Sequence, residues 1–197
     1  IFDKRKLEIL DCLCEKYKIN IEINTISSEA QIEAMLSGDI DIGFIRPPVH
    51  HALDEIETVS LYKAPMYVAV SASDQEFSNK TSIYIRELKD LRFVSTPHSE
   101  RGGISYLASN LCLSNGFSQK KSKISSRKIS QLDLVANGYG VCIVPEEFSS
   151  ILPKNVKLLS ICDENNQSEV KLIWKKGNDS VVNKCAETIQ DFYKIDH

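Results

Sequence analysis

Arg46 closes an apolar stretch, Ile40-Asp41-Ile42-Gly43-Phe44-Ile45, and Pro47-Pro48 follow it directly. A guanidinium is always charged and can meet a carboxylate through two parallel N–H···O bonds. The prolines fix φ near about −65° and restrict the residue before them, so this arginine leaves from a well-held backbone. Two hydroxyl-bearing loops could serve the same anion. Ser27-Ser28 follows an alternating segment at 19–23, and Thr96-Pro97-His98-Ser99 follows another short apolar run at 92–95. Each offers hydroxyls and the bare N–H groups of a helix start, which suit a carboxylate. The plainer readings stand beside these. Ser28-Glu29-Ala30-Gln31 is a capping box, with the Ser28 hydroxyl accepting from the Gln31 amide and the Gln31 side chain reaching back. Arg46 could equally be a surface arginine or the partner of a protein carboxylate.

Catalytic chemistry has little to stand on. Of four histidines, His50 and His51 sit in the loop after the prolines, His98 in the Thr96 loop, and His197 at the last position. No serine or cysteine lies in a G-x-S-x-G context, and no glycine-rich phosphate loop occurs. Asp39 and Asp41 share a strand face and resemble acid–base machinery only superficially. Cys12 and Cys14 are two apart on a helical pattern, so their side chains diverge and hold no zinc. No catalytic residue, metal site or cofactor is expected.

The elements that must position these residues alternate. Leu7, Leu10, Cys14 and Tyr17 recur at helical spacing, and Ile19, Ile21 and Ile23 alternate as in a strand. A helix carrying Ile32, Met35 and Leu36 follows and ends at Gly38, and a strand covers 39–45. Strand, capped helix and strand within about thirty residues predict a right-handed βαβ unit in a parallel sheet. Met66, Val68 and Val70 mark a further strand, and so does the run 92–95. Ile104, Leu107, Ala108, Leu111 and Cys112 form an amphipathic helix, and Ile129, Leu132 and Val135 form another. The run 141–144 is a buried strand. Val170, Leu172 and Trp174 alternate, and Val182, Cys185, Ile189 and Phe192 close the chain as a helix. The class is α/β. In open α/β lobes ligands gather at the carboxyl ends of strands, where all three candidate loops lie.

The composition narrows the partners. The 197 residues are 42% hydrophobic and 26% charged, with a net charge of −3, so the chain as a whole lacks the basic face of a nucleic-acid binder. No apolar run nears the ~20 residues that span a bilayer. The basic run Lys120-Lys121-Ser122-Lys123 with Arg127-Lys128 reads as a solvated hairpin edge. Six cysteines are spread along the chain, Cys112 and Cys185 on apolar helix faces and Cys142 in an apolar run, as reduced buried thiols would be, which predicts a cytoplasmic protein.

The stretch from Glu33 to Arg46, with Leu36-Ser37-Gly38-Asp39-Ile40-Asp41-Ile42-Gly43, resembles the L-x-x-G-x-L-D-[IA]-G segment of LysR-type transcriptional regulators. Leu134-Val135-Ala136-Asn137-Gly138-Tyr139-Gly140-Val141-Cys142-Ile143-Val144-Pro145 is similar to their L-V-A-x-G-x-G segment. Glu87-Leu88-Lys89-Asp90-Leu91 and Asn115-Gly116-Phe117 fit the same order, and Arg46-Pro47-Pro48 resembles the branch with acetoin- and muconate-responsive members. The resemblance implies two Rossmann-like lobes joined by two crossover strands, as in type II periplasmic binding proteins. Carried onto this chain, the first lobe is residues 1–61 plus 144–197 and the second is 62–143. The family's winged helix-turn-helix and its first strand would precede Ile1. The implied function is effector binding and oligomerisation. A small anion, above all a carboxylate, would sit in the interlobe cleft at Ser27, Ser28, Arg46, Thr96, Pro97, His98 and Ser99. Binding would rearrange the lobes of a homodimer or homotetramer that touches DNA only through the missing domain. An extracytoplasmic type II solute-binding protein is the alternative.

Overall fold

The structure is a computed structural model and describes residues 4–50, 53–96, 103–177 and 180–194. In chain order its elements are α1 (Lys4–Tyr17), α2 (Ser28–Ser37), β1 (Ile42–Ile45), β2 (Ile56–Ser71), β3 (Ser82–Ile83), β4 (Arg92–Phe93), α3 (Gly103–Ser114), β5 (Lys120–Lys121), α4 (Lys128–Ala136), β6 (Cys142–Pro145), β7 (Val156–Ile161), β8 (Gln167–Lys175) and α5 (Ser180–Lys194). The chain divides into unit 1, Ile1–Lys63 with Glu169–His197, and unit 2, Ala64–Ser168. Both β2 and β8 contribute residues to each unit.

In unit 1, β1 runs antiparallel to β8, with Ile42 opposite Trp174 and Phe44 opposite Leu172. One core forms where α1 and α5 bring Ile9, Leu13, Cys185 and Ile189 against Leu61 and Leu172. The Tyr17 hydroxyl ties the two helices by donating to the Lys184 carbonyl at 3.2 Å and lying 2.8 Å from Thr188 Oγ1. A second cluster packs Ile32 and Met35 of α2 against Ile45, Ile56 and Ile173. Burying such side chains contributes about 1.5–3 kcal/mol each, enough to fix which face of α2 turns to the sheet.

Three local expectations change. The alternating segment 19–23 forms no strand and joins no ladder among the described residues. Ile19 and Ile21 pack on the core while Ile23 is 44% exposed. Alternation reports which face is apolar; a strand also needs a neighbour for its backbone. The strand expected over 39–45 begins only at Ile42. Gly38, at φ +86°, ends α2, and the amides of Asp39 and Ile40 turn back to the Ala34 carbonyl. Those amides cannot also serve a sheet. In α1 the inward stripe is Ile9 and Leu13, and Leu7 is 47% exposed.

In unit 2, β2 pairs antiparallel with β6 and β7, and the parallel pairs are β3–β7 and β4–β5. The parallel βαβ unit expected over 19–45 is not formed among the described residues, because 19–23 joins no ladder and β1 is antiparallel to β8; the parallel pairs β3–β7 and β4–β5 are short and lie in the otherwise antiparallel strands of unit 2. Val68, Leu88, Phe93, Cys112 and Leu159 build the core, no more than 2% exposed. α3 buries Ala108, Leu111 and Cys112 as its spacing predicts. α4 buries Leu132 and Val135 but leaves Ile129 56% exposed. Residues 144–168, expected in the first lobe, lie in unit 2 because β6 and β7 pair with the second half of β2 and β7 with β3. The lobe boundary therefore falls after Ser168 instead of after 143. All six cysteines are free, and Cys112, Cys142 and Cys185 are buried.

Candidate functional site

Ser27, Ser28 and Arg46 meet at one corner of unit 1. Ser27, extended at φ −70° and ψ 163°, is the N-cap of α2, and its Oγ accepts from the Ala30 amide at 3.2 Å. The cap thus lies one residue earlier than the capping box predicted. Gln31 donates its amide to the Ser27 carbonyl at 2.9 Å, and its side chain points to the Ile26 carbonyl at 3.4 Å. The shift releases Ser28 from capping. Its Oγ instead accepts the Arg46 backbone N–H at 3.0 Å, across 18 residues of chain. One residue on, a Glu29 carboxylate oxygen accepts the His50 N–H at 2.9 Å. The first turn of α2 therefore holds both ends of the Arg46–Pro47–Pro48 loop, and Arg46 itself is half-buried.

Gly43 lets α2 come this close to β1. A Cβ there would stand 2.8 Å from Gln31 Oε1 and 2.9 Å from Ile173 Cγ1. Ile173 is fully buried and could not yield without disturbing its cluster.

The second corner lies in unit 2, where the chain leaves β4. Val94 donates its N–H to the Val141 carbonyl at 2.9 Å, and its own carbonyl accepts from the buried Gln131 side chain of α4 at 2.7 Å. The Ser95 carbonyl accepts the Ser126 amide at 3.2 Å. The half-buried Thr96 hydroxyl is hydrogen-bonded to Ser105 Oγ in the first turn of α3. Val141 just before β6, Gln131 of α4, Ser126 of the loop before α4 and Ser105 of α3 thus brace three successive residues. Pro97, His98 and Ser99 lie outside the described residues. Ser105 and Gln131 were missed by the sequence reading. Ser105 had a legible signal, a hydroxyl in the helix turn after Gly102-Gly103. Gln131 had none, because only the fold brings α4 against Val94.

The electrostatics at the thiols point to structure. Burial pushes the Cys142 thiol up to about 12 and the Cys112 thiol up to about 11, from 9.0. Both stay protonated at neutral pH, and the thiol is a poor nucleophile and metal ligand. Among the described residues no three His, Cys, Asp or Glu side chains group as a metal site would. What the corners gather instead are hydroxyls at helix starts, with Arg46 beside Ser28 in unit 1, residue types whose chemistry suits a small anion.

Two α/β units of this kind give the chain a periplasmic-binding-protein-like fold. The chain belongs to the LysR substrate binding domain family, whose pattern it matches over residues 9–193. It is 25% identical over 160 residues to the HTH-type transcriptional regulator AlsR of Bacillus subtilis (strain 168), covering 81% of this chain and 52% of that protein. It is 25% identical over 177 residues to the HTH-type transcriptional regulator BenM of Acinetobacter baylyi, covering 89% and 58%. The chain therefore spans about half the length of the curated relatives it matches. Among solved structures, the BenM effector binding domain with its effector benzoate aligns at a TM-score of 0.80 and 23% identity, over 96% of this chain and 86% of that one. Full-length CbnR complexed with its target DNA aligns at 0.81 and 18%, over 95% and 66%. The family decides against the solute-binding alternative, and the relatives are regulators of transcription, not enzymes. No helix among the described residues is long and apolar enough to cross a membrane.

Proposed function

We propose that this chain senses a small carboxylate for a cytoplasmic LysR-type regulator, self-associates, and passes the signal to a DNA-binding part of the parent protein that lies outside it. The observation that carries the reading is the hydrogen bond from the Arg46 N–H to Ser28 Oγ. It joins, at one helix start, two residues that the sequence nominated separately for the same anion. Thr96, with Ser105 beside it, offers hydroxyls at the second corner, and Pro97, His98 and Ser99 follow it in the chain. Benzoate, the effector named for the BenM domain, is a carboxylate of the right class. The effector can shift the arrangement of the two units only by its differential affinity for the arrangements, so a tight ligand without that difference would carry no signal.

The test is calorimetric titration of benzoate and small dicarboxylates into the wild-type chain, Arg46→Lys and Arg46→Ala. At least one of these acids binds the wild type. Arg46→Lys keeps the fold and loses about 1.5–3 kcal/mol of affinity, the range for hydrogen bonds to charged groups, and Arg46→Ala loses at least as much. Equal affinity in all three proteins removes Arg46 from the site. Lower melting temperatures of both variants without ligand would assign Arg46 to bracing the protein. No binding of any of these acids to the wild type overturns the carboxylate reading.

A further inference from the structure

The dipeptide Asn-Gly occurs at Asn115-Gly116 and at Asn137-Gly138, and each time it ends a helix. The two stops are built alike. Asn115 donates its Nδ2 to the Leu111 carbonyl at 2.9 Å, and Asn137 donates its own to the Asp133 carbonyl at 2.8 Å, so each carboxamide folds back along its helix. Each glycine takes the left-handed conformation, with φ +82° at Gly116 and +77° at Gly138. Their N–H groups return to the carbonyls of Leu113 at 2.9 Å and Val135 at 3.0 Å. The following residues, Phe117 and Tyr139, donate to the Cys112 carbonyl at 3.2 Å and the Leu134 carbonyl at 3.1 Å.

Asn-Gly carries a reaction of its own. The glycine nitrogen, deprotonated by base, attacks the asparagine Cγ and expels ammonia. A cyclic imide results, and water opens it at either carbonyl to give aspartate or its backbone-extended isomer. The net change is ammonia lost and water gained, with no oxidant or reductant. Glycine permits the attack because no Cβ stands beside its nitrogen. Both stops resist it in the same way, since the glycine N–H is occupied and the carboxamide is turned back along the helix. The reaction therefore waits on local opening of the last turn.

The two holds differ in strength. After α3, Phe117 packs on the core of unit 2 with the fully buried Cys112, and Asn115 is half-buried. After α4, Asn137, Gly138 and Tyr139 are all exposed, and Asn137 and Tyr139 line an open hollow with Asp133 and Leu134. Ser71 of β2 reaches the Ala136 carbonyl at 3.4 Å, a long bond. This turn can open to water and base without moving the core.

We infer that Asn137 is a site of spontaneous deamidation in the folded chain, and that its conversion loosens the corner at Thr96. The new carboxylate cannot donate to the Asp133 carbonyl. It also places negative charge at the C-terminal end of a helix, four residues after Asp133, where the helix dipole and the like charge both oppose it. α4 then frays from this end, and α4 carries Gln131, whose side chain holds the Val94 carbonyl at 2.7 Å. The backbone-extended isomer lengthens the chain just before Val141, whose carbonyl accepts the Val94 N–H at 2.9 Å. Both braces on Val94 thus depend on the segment that reacts. A loss of carboxylate affinity on ageing would rest on the function proposed above; the site of reaction and the loosening of Val94 do not.

The wild-type 197-residue chain is warmed at mildly alkaline pH, folded and in urea, and each asparagine is followed by peptide mapping for the mass change from amide to acid. In the folded chain Asn137 should convert at least about fivefold faster than Asn115. In urea both should accelerate and agree within about twofold, because the helix stops that separate them are gone. Hydrogen exchange on Asn137→Asp, one of the reaction's own products, reads the consequence. The Tyr139 and Val94 amides should exchange at least about threefold faster than in the wild type, whereas Asn115→Asp leaves Val94 unchanged. Circular dichroism confirms that both variants are folded, and the mapping of the wild type stands without them. Equal rates at Asn115 and Asn137 in the folded chain, or an Asn137 that stays intact there while it converts in urea, overturns the inference. So does wild-type exchange at Val94 in Asn137→Asp. Failure of every carboxylate to bind would overturn the proposed function and leave these outcomes as they are.

Discussion

Replacing Ser27 and Ser28 one at a time by alanine separates a helix cap from a brace on the binding loop. Ser27→Ala removes the acceptor of the Ala30 N–H, a 3.2 Å bond at the start of a ten-residue helix. Losing such a cap costs about 1 kcal/mol, equivalent to about 2–4 °C in a chain of this size. Arg46 is untouched by that change. Ser28→Ala removes the acceptor of the Arg46 N–H at 3.0 Å. Because Arg46 is half-buried, water can partly replace the lost bond, so the stability cost stays near the low end of about 0.5–1.5 kcal/mol. The diagnostic consequence is local: the Arg46 amide should exchange with solvent about two- to threefold faster, the equivalent of about 0.5 kcal/mol of local opening. Carboxylate affinity should fall with it, and Ser28→Thr, which keeps a hydroxyl, should restore both. Hydrogen exchange resolved to single amides, with melts of all three variants, reads every term. If Ser28→Ala lowers the melting temperature as a lost cap would and leaves Arg46 exchange unchanged, Ser28 is the cap after all. The coupling of the two site residues then fails.

Gly140→Ala and Gly38→Ala should differ sharply although both glycines have positive φ. Gly140, at φ +145°, has the Arg92 carbonyl pressed against the position of a Cβ, and the adjacent Val141 N–H bonds that same carbonyl at 2.8 Å. Its substitution should cost about 3 kcal/mol or more through strain and lost hydrogen bonds, whereas Gly38, at φ +86° with open space around it, should cost about 1–2 kcal/mol. Urea melts giving equal losses would contradict this account. The buried thiols predict a second, pH-dependent signature. Cys142 and Cys112 ionise at about 12 and about 11 in the folded chain but near 9 when unfolded. Between about pH 9 and 11 the native state holds more protons, so stability is unaffected by them below pH 8 and falls as pH rises, by up to about 1.4 kcal/mol per unit for each thiol. Urea melts at pH 8, 9 and 10 should show that slope in the wild type and lose it in a Cys112→Ala/Cys142→Ala variant.

The sequence by itself determined the class and most helices, because those signals are local. The spacing of Ala108, Leu111 and Cys112 and the positive-φ stop at Gly38 depend on a few neighbouring residues, and the structure keeps them. The family segments around Gly38–Gly43 and Gly138–Gly140 were legible for the same reason, and Gly43 and Gly140 each prove to sit where another chain segment comes too close for a Cβ. What only the tertiary structure decided is every statement about a partner. Alternation at 19–23 could not say that no strand among the described residues would lie beside it. The pairing of β7 with β2 and β3, which keeps residues 144–168 in unit 2, joins segments about eighty to ninety residues apart and leaves no mark in either. Ser27 and Ser28 are chemically alike, so their division of labour waited on Arg46 arriving at α2 from 18 residues away. A hydrogen-bond donor has no preferred acceptor in sequence, and the fold chooses one by bringing it within about 3 Å.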